Sequence, residues 1–198
     1  MSAVLGYEPV PENELAERVW VDACGSHRVA VACKEELLAA VRELRPRKGA
    51  RLVLLGADVG ELPEAERLRL LCRVGFVPAD GGLISSLNAW ENISLPVAYH
   101  APARLPGLLA QVRALLDELG GVEDSLLGKL PENMTLYEKR LTAFVRALLE
   151  NPELVVVENL AAGLGPTKRR RVARFAEVYQ ARCPGATYVQ LEESRGGS

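Results

Sequence analysis

Along this chain, short apolar runs of four or five residues alternate with longer stretches in which leucines and valines recur every three or four positions. The short runs read as strands buried on both faces and the long stretches as amphipathic helices, and their alternation is the pattern of an α/β domain. Residues 29–32, 52–55, 74–77, 154–157 and 187–191 are the predicted strands. Leu37, Leu38, Val41 and Leu44 share one helical face, Leu105, Leu109, Val112, Leu116 and Leu119 a second, and Leu141, Phe144, Val145 and Leu148 a third. Asn151-Pro152 stops the third helix, because a residue before proline is driven out of the α region. Pro166 suits a first helical turn and opens a helix through Val172, Phe175 and Val178. From Val77 to Leu154 the pattern holds helices and loops only, with residues 102–106 as its one linker-like piece. An α/β core with an all-helical insertion accounts for that gap.

Length and composition narrow the picture only a little. The 198 residues read as a single domain over 1–198, with a helical subdomain at about 88–150 inside it. Basic and acidic side chains number 24 and 26, a net charge of −2, which supplies no general attraction to nucleic acid or an anionic membrane. Lys168, Arg169, Arg170 and Arg171, with Arg174, form the only basic run. It reads as a solvated helix face, with anionic headgroups or nucleic acid as the functional alternative, and no nucleic-acid partner is expected. Cys24, Cys33, Cys72 and Cys183 lack a CxxC spacing and lie mostly in apolar runs, so buried free thiols in a reducing compartment are expected. With only His27 and His100, both read as loop residues, no metal cluster is expected. The opening MSAVLGYEPVPENE does not read as a signal peptide, and no apolar stretch approaches the roughly 18 residues of a membrane span. A cytoplasmic protein is expected. The closing residues 195–198 are left out of the fold reasoning.

Two stretches carry a resemblance. GFVPADGGLISSLNAWENISLP at 75–96 resembles the segment around the glutamine loop in the ATPase subunits of ATP-binding-cassette transporters, especially the bacterial lipid-transporting (Mla/MCE) kind. Residues from Leu130-Pro131, through RALLENPELVVV at 146–157, to Gly163-Leu164-Gly165-Pro166 resemble that family's signature motif, Walker B strand and D-loop. RPRKG at 45–49 and LGAD at 55–58 are similar to its link from first helix to next strand. The pieces span most of 28–192 in the family's order, and no single motif is intact. The implied fold is a P-loop NTPase-like cassette core, mainly parallel sheet, with an all-helical insertion.

The departures fall on the chemistry. The family's phosphate loop needs glycines, a lysine and a Ser/Thr. Here residues 29–32 run into Cys33-Lys34-Glu35-Glu36, so the Walker A loop reads as deleted, and an acidic pair at a helix N-terminus would repel a triphosphate. The resemblance places the Walker B aspartate at Glu158, the catalytic glutamate at Asn159, the glutamine-loop residue at Ala79, the D-loop aspartate at Gly165 and the switch histidine at Glu192. Its Leu-Ser-Gly-Gly pattern falls on Met134, Thr135, Leu136 and Tyr137, with bulky side chains where the family has glycines. An amide cannot accept a proton from water, and each missing charge-stabilising group costs about 10² to 10³ in rate. Nucleotide binding is therefore not expected, no cofactor is expected, and the chain reads as a pseudo-ATPase rather than an enzyme.

The resemblance further implies docking on an integral membrane permease through Asp80, Leu83, Ser85, Ser86, Trp90, Glu91 and Asn92, as a homodimer on the cytoplasmic face of the inner membrane. Lipid transport is the implied subclass. Leu83, Leu87, Trp90, Ile93 and Leu95 as plain core, with residues 85–88 as a turn and helix cap, is the bland reading of the same segment. Tyr7, near the family's adenine-stacking aromatic, reads better as a packing or surface tyrosine. The adjacent pairs Glu35-Glu36 and Glu192-Glu193 read as solvated. Two alternatives stand beside the inactive subunit: an atypical ATPase built on Glu158, and a soluble scaffold that has left the permease.

Overall fold

In a computed structural model that describes residues 4–9, 18–22, 24–31, 34–121 and 124–193, the chain divides into two units. One comprises residues 1–76, 152–159 and 183–198, and the other residues 77–151 and 160–182.

The first unit holds two four-stranded sheets. In one, β3 (Gly25–Val31), β8 (Thr187–Glu193), β7 (Leu154–Glu158) and β6 (Val74–Val77) lie in that order, with β8 parallel to both β3 and β7. These four are predicted strands, and β7 is an unbroken buried run from Leu154 to Val157, as a strand covered on both faces should be. The other sheet was not foreseen. In it β2 (Val19–Val21), β1 (Leu5–Glu8), β4 (Arg51–Leu54) and β5 (Ala57–Asp58) are joined antiparallel. The predicted strand at 52–55 thus pairs outside the parallel sheet. Its hairpin turns on Leu55 (φ 50°) and Gly56 (φ 82°), the two left-handed residues that the tight two-residue turn requires. Helix α1 (Lys34–Glu43) buries Leu37, Leu38 and Val41 in a cluster that takes Leu5, Tyr7, Leu52 and Leu54 from one sheet and Leu154, Val156, Val189 and Leu191 from the other. Tyr7 is a core residue there, 1% exposed. Helix α2 (Glu64–Leu71) buries only Leu70.

In the second unit, α3 (Ala89–His100), α4 (Leu108–Glu118), α5 (Leu136–Leu148), α6 (Pro166–Ala173) and α7 (Phe175–Arg182) make up the helical part, with short 3₁₀ turns at Pro102–Arg104, Asp124–Gly128 and Pro131–Asn133. The linker-like residues 102–106 therefore begin with a helical turn. Helix α5 is buried nearly all round, from Tyr137 and Leu141 to Phe144, Val145 and Leu148, which marks it as the centre of its unit. Phe144 stacks on Phe175 with ring centroids 4.5 Å apart. The foreseen stop works through Asn151, which takes φ 48° directly before Pro152.

Three expectations need correction. Cys24 and Cys72 are exposed and Cys183 is half-buried; Cys72 follows a helix that buries only Leu70, and Leu68 and Leu71 beside it face water as well. Cys33 lies outside the described residues. The α4 stripe is shifted, with Leu108, Val112, Leu115 and Leu116 buried and Leu105 and Leu109 exposed, because Pro106-Gly107 delays the helix start to Leu108. Leu95 is 42% exposed rather than core. Among the described residues no helix is long and apolar enough to cross a membrane.

Candidate functional site

At the C-terminal edge of a parallel sheet, strand ends and helix N-termini meet, and ligands of α/β domains bind there. In the first unit that edge carries Lys34, first residue of α1, and Glu158, last residue of β7. Lys34 Nζ stands 3.3 Å from Glu158 Oε1, and both side chains are largely buried, at 10% and 19% exposure. Lys34 is thus held on a carboxylate of another strand, not stranded beside the acidic pair that follows it. Glu36 accepts a hydrogen bond from Arg47 Nη1 at 2.7 Å, with the Tyr7 hydroxyl 3.5 Å away, and Glu35 is exposed. Glu36 is thus answered by Arg47, and Glu35 is the member of the pair that faces water at the start of α1. Asn159 follows Glu158 with φ 29°, its N–H bonded to the carbonyl of Leu191. Glu192, half-buried on β8, accepts from Gln190 Nε2 at 2.7 Å. The deleted phosphate loop was expected at Ala32 and Cys33, which lie outside the described residues.

Among the described residues no group of three or more His, Cys, Asp or Glu gathers to hold a metal by protein ligands alone. Magnesium does not need such a group, since it is commonly bound through one or two carboxylates together with substrate phosphates. Glu158 fits that part, and Lys34 beside it fits a phosphate oxygen.

The second unit carries the remaining family positions, and most have structural work. Met134 is buried. Thr135 caps α5: its hydroxyl accepts from the Glu138 N–H while Glu138 accepts from the Thr135 N–H. Tyr137 is 1% exposed, its hydroxyl donating to the Leu119 carbonyl at 3.4 Å and Lys168 Nζ lying 4.4 Å from its ring centroid. Its bulk points into the protein, so only Leu136 presents a large side chain where both signature glycines were expected to be blocked. Gly165 is the N-cap of α6, with Pro166 next as foreseen. The basic run is exposed from Lys168 to Arg170, while Arg171 is half-buried and reaches the Gly121 carbonyl at 3.3 Å.

Burial pushes the Glu138 carboxyl up, but hydrogen bonds from Lys129 and from the backbone and hydroxyl of Thr135 outweigh it and hold the group below its ordinary value. A depressed carboxyl adds stability that is complete above its unfolded value of about 4.3 and is lost as pH falls through the folded value. Glu138→Gln is therefore expected to lower the melting temperature at pH 6 to 7, with the gap closing below about pH 4; parallel thermal melts across that range check it.

In the docking segment, Asp80, Ser85, Ser86 and Glu91 are exposed and Leu83 and Trp90 half-buried. Asn88 caps α3 in a reciprocal box with Glu91, as the turn-and-cap reading foresaw. Asn92 must leave the docking set. It is fully buried, its Oδ1 accepting from the Ile84 N–H at 2.8 Å and its Nδ2 donating to the carbonyls of Ile84, Leu87 and Asn88. It shapes the loop, and being fully buried it has no surface to offer.

Arg140 was not singled out. It is 3% exposed, and its guanidinium donates from Nε to the Ala79 carbonyl at 2.6 Å and from Nη1 to the carbonyls of Leu160 and Ala162 at 2.8 and 2.6 Å. The signal was available: Arg140 lies between Tyr137 and Phe144 at helical spacing, inside the apolar stripe, where a solvated arginine does not belong.

No protein-family model matches this chain. It is 30% identical over 148 residues to the lipoprotein-releasing system ATP-binding protein LolD 2 of Caulobacter vibrioides, covering 74% of this chain and 63% of that one. It is 22% identical over 152 residues to the methionine import ATP-binding protein MetN of Haemophilus influenzae, covering 77% of this chain and 43% of the relative, so it spans less than half of that protein. Among solved structures, the dimeric bacterial ABC transporter cassette MJ0796 superposes with a TM-score of 0.75 at 16% identity, over 96% of this chain and 88% of that one. The same cassette bound to ADP and Pi in a post-hydrolysis state superposes at 0.71 and 17% identity, over 98% and 87%. The cassette fold is thereby established. The expectation of a pseudo-ATPase is overturned: these relatives are named ATP-binding proteins, and one solved cassette of this fold holds ADP and Pi; the same likenesses give no support to the expectation that nucleotide does not bind.

Proposed function

We propose that this chain is an ATP-binding subunit of a membrane transport complex, working as a pair of copies on the cytoplasmic face of an integral permease. The observation that carries the reading is the Lys34–Glu158 pair at the strand edge of a cassette fold; the likeness to ATP-binding proteins of an import and a release system supports it. Lys34 would hold a phosphate oxygen and Glu158 would hold the magnesium that accompanies the nucleotide. That ion supplies charge stabilisation at the terminal phosphate. Asp80, Leu83, Ser85, Ser86, Trp90 and Glu91 form the surface offered to the permease, on a loop that Asn92 holds in shape. The cargo we assign is lipidic, on the resemblance of residues 75–96 to the lipid-transporting kind and on one relative named for lipoprotein release.

Calorimetric titration with magnesium–ATP tests the core of the reading. Wild type is expected to bind and to release phosphate, and Lys34→Met to lose binding by about tenfold or more, the value of one lost charge-assisted contact. No heat and no turnover in wild type would refute it. Copurification with an integral protein from detergent-solubilised membranes, followed by lipid extraction, checks permease and cargo.

A further inference from the structure

Helix α5 grips two loops that are remote from one another in the chain. Towards the segment after β6 it makes three contacts. Arg140 Nε donates to the Ala79 carbonyl at 2.6 Å, Arg146 Nη2 donates to the Gly82 carbonyl at 3.1 Å, and Gly81 lies so close that a Cβ there would stand 2.8 Å from the Lys139 carbonyl oxygen. Gly81 also takes φ 92°, so both space and backbone demand glycine. Towards the turn after β7, Arg140 Nη1 donates to the carbonyls of Leu160 and Ala162. All of these groups belong to the helical unit.

We propose that Arg140 is a positioning residue that ties residues 79–82, the root of the exposed segment 80–86, to the turn at 160–165, so that displacing either loop moves the other. A planar guanidinium is suited to this, because its donors leave in fixed directions and cannot follow one carbonyl without leaving another. Burial sharpens the requirement: with Arg140 3% exposed, a donor pulled away from its carbonyl has little water to turn to. On the docking reading proposed above, occupation of the exposed segment by a permease is felt at residues 160–162, where the same guanidinium holds two carbonyls. The inference rests on contacts inside one unit and stands whether or not the chain binds nucleotide.

Hydrogen exchange on the full chain tests it, with denaturant melts run alongside to separate local from global opening. Arg140→Met is expected to raise exchange at 79–84 and 160–165 together by about tenfold, with β8 unchanged. Gly82→Ala disturbs only the first loop directly, since its φ is 52° and its Cβ would stand 2.7 Å from Pro78 Cγ; it is expected to raise exchange at 160–165 in the wild-type background and to lose that effect in the Arg140→Met background, the coupling a merely structural arginine would not produce. If Arg140→Met does not fold, Arg140→Lys is read in the same way, since one ammonium cannot reproduce the fixed fork. A response of 160–165 to Gly82→Ala that is absent in wild type, or equal in both backgrounds, would overturn the proposal.

Discussion

Phe144→Ala is expected to destabilise the protein by about 4 kcal/mol, the range measured for a phenylalanine deleted from a closed core. Phe144 is fully buried at the centre of α5, and its ring lies on that of Phe175, also fully buried, at 4.5 Å with 17° between the planes. Removing it abandons the transfer free energy of a large ring, opens a cavity that rigid neighbours cannot fill, and takes away about 1 kcal/mol of ring-to-ring attraction. For a chain of this size the melting temperature should fall by about 10 °C. Phe144→Leu, which keeps most of the volume, should lose well under half as much. Calorimetric melts of the two variants measure both quantities, and a loss below about 1 kcal/mol for the alanine variant would mean that α5 does not pack as described.

The second large effect is expected at the strand edge. Glu158→Ala removes a carboxylate 3.3 Å from an ammonium whose side chain is 10% exposed. The attraction inside the native pair matters less than what remains after one partner is gone: a charge kept from water. Breaking such a pair from one side costs about 3 kcal/mol, whereas replacing both partners by apolar residues of similar volume is often close to neutral. Lys34→Met combined with Glu158→Met is therefore expected to recover most of the stability lost by Glu158→Ala while abolishing magnesium–ATP binding. Urea midpoints and titrations on the same samples separate stability from function. A Glu158→Ala variant as stable as wild type would place the lysine in water and remove its claim to a buried phosphate-facing position.

Much of the fold was legible. Strand β7 announces itself because burial on both faces demands an uninterrupted apolar run, and residues 154–157 satisfy that demand; β3 was read only from Val29, because its first half is polar and alternates half-buried with exposed, so that His27, read as a loop residue, lies on the strand. The antiparallel sheet did not announce itself. LGYE and VWV are three or four residues long, and they become strands only through pairing, Leu5 against Leu54 and Val21, Tyr7 against Leu52 and Val19. In the candidate site, resemblance found the positions but misjudged what several side chains do. Tyr137 was read as a bulky obstacle, yet its place in a stripe with Leu141, Phe144 and Leu148 already directs it inward. Asn92 was read as a contact residue, and its four bonds to a neighbouring loop are visible only once that loop folds over it.

Taken alone, the order of residues determined the alternation of strands and helices around the parallel sheet, the cap at Asn88 and the helix stop at Asn151-Pro152, because each is settled by neighbours within a turn or two. Tertiary structure decided which charges are answered. Lys34 meets Glu158, and Arg140 meets three carbonyls from two distant loops, only after the sheet and α5 bring them together. A charge looks the same along the chain whether it faces water or a partner, and burial, which separates the two cases by several kcal/mol, is a property of the assembled fold.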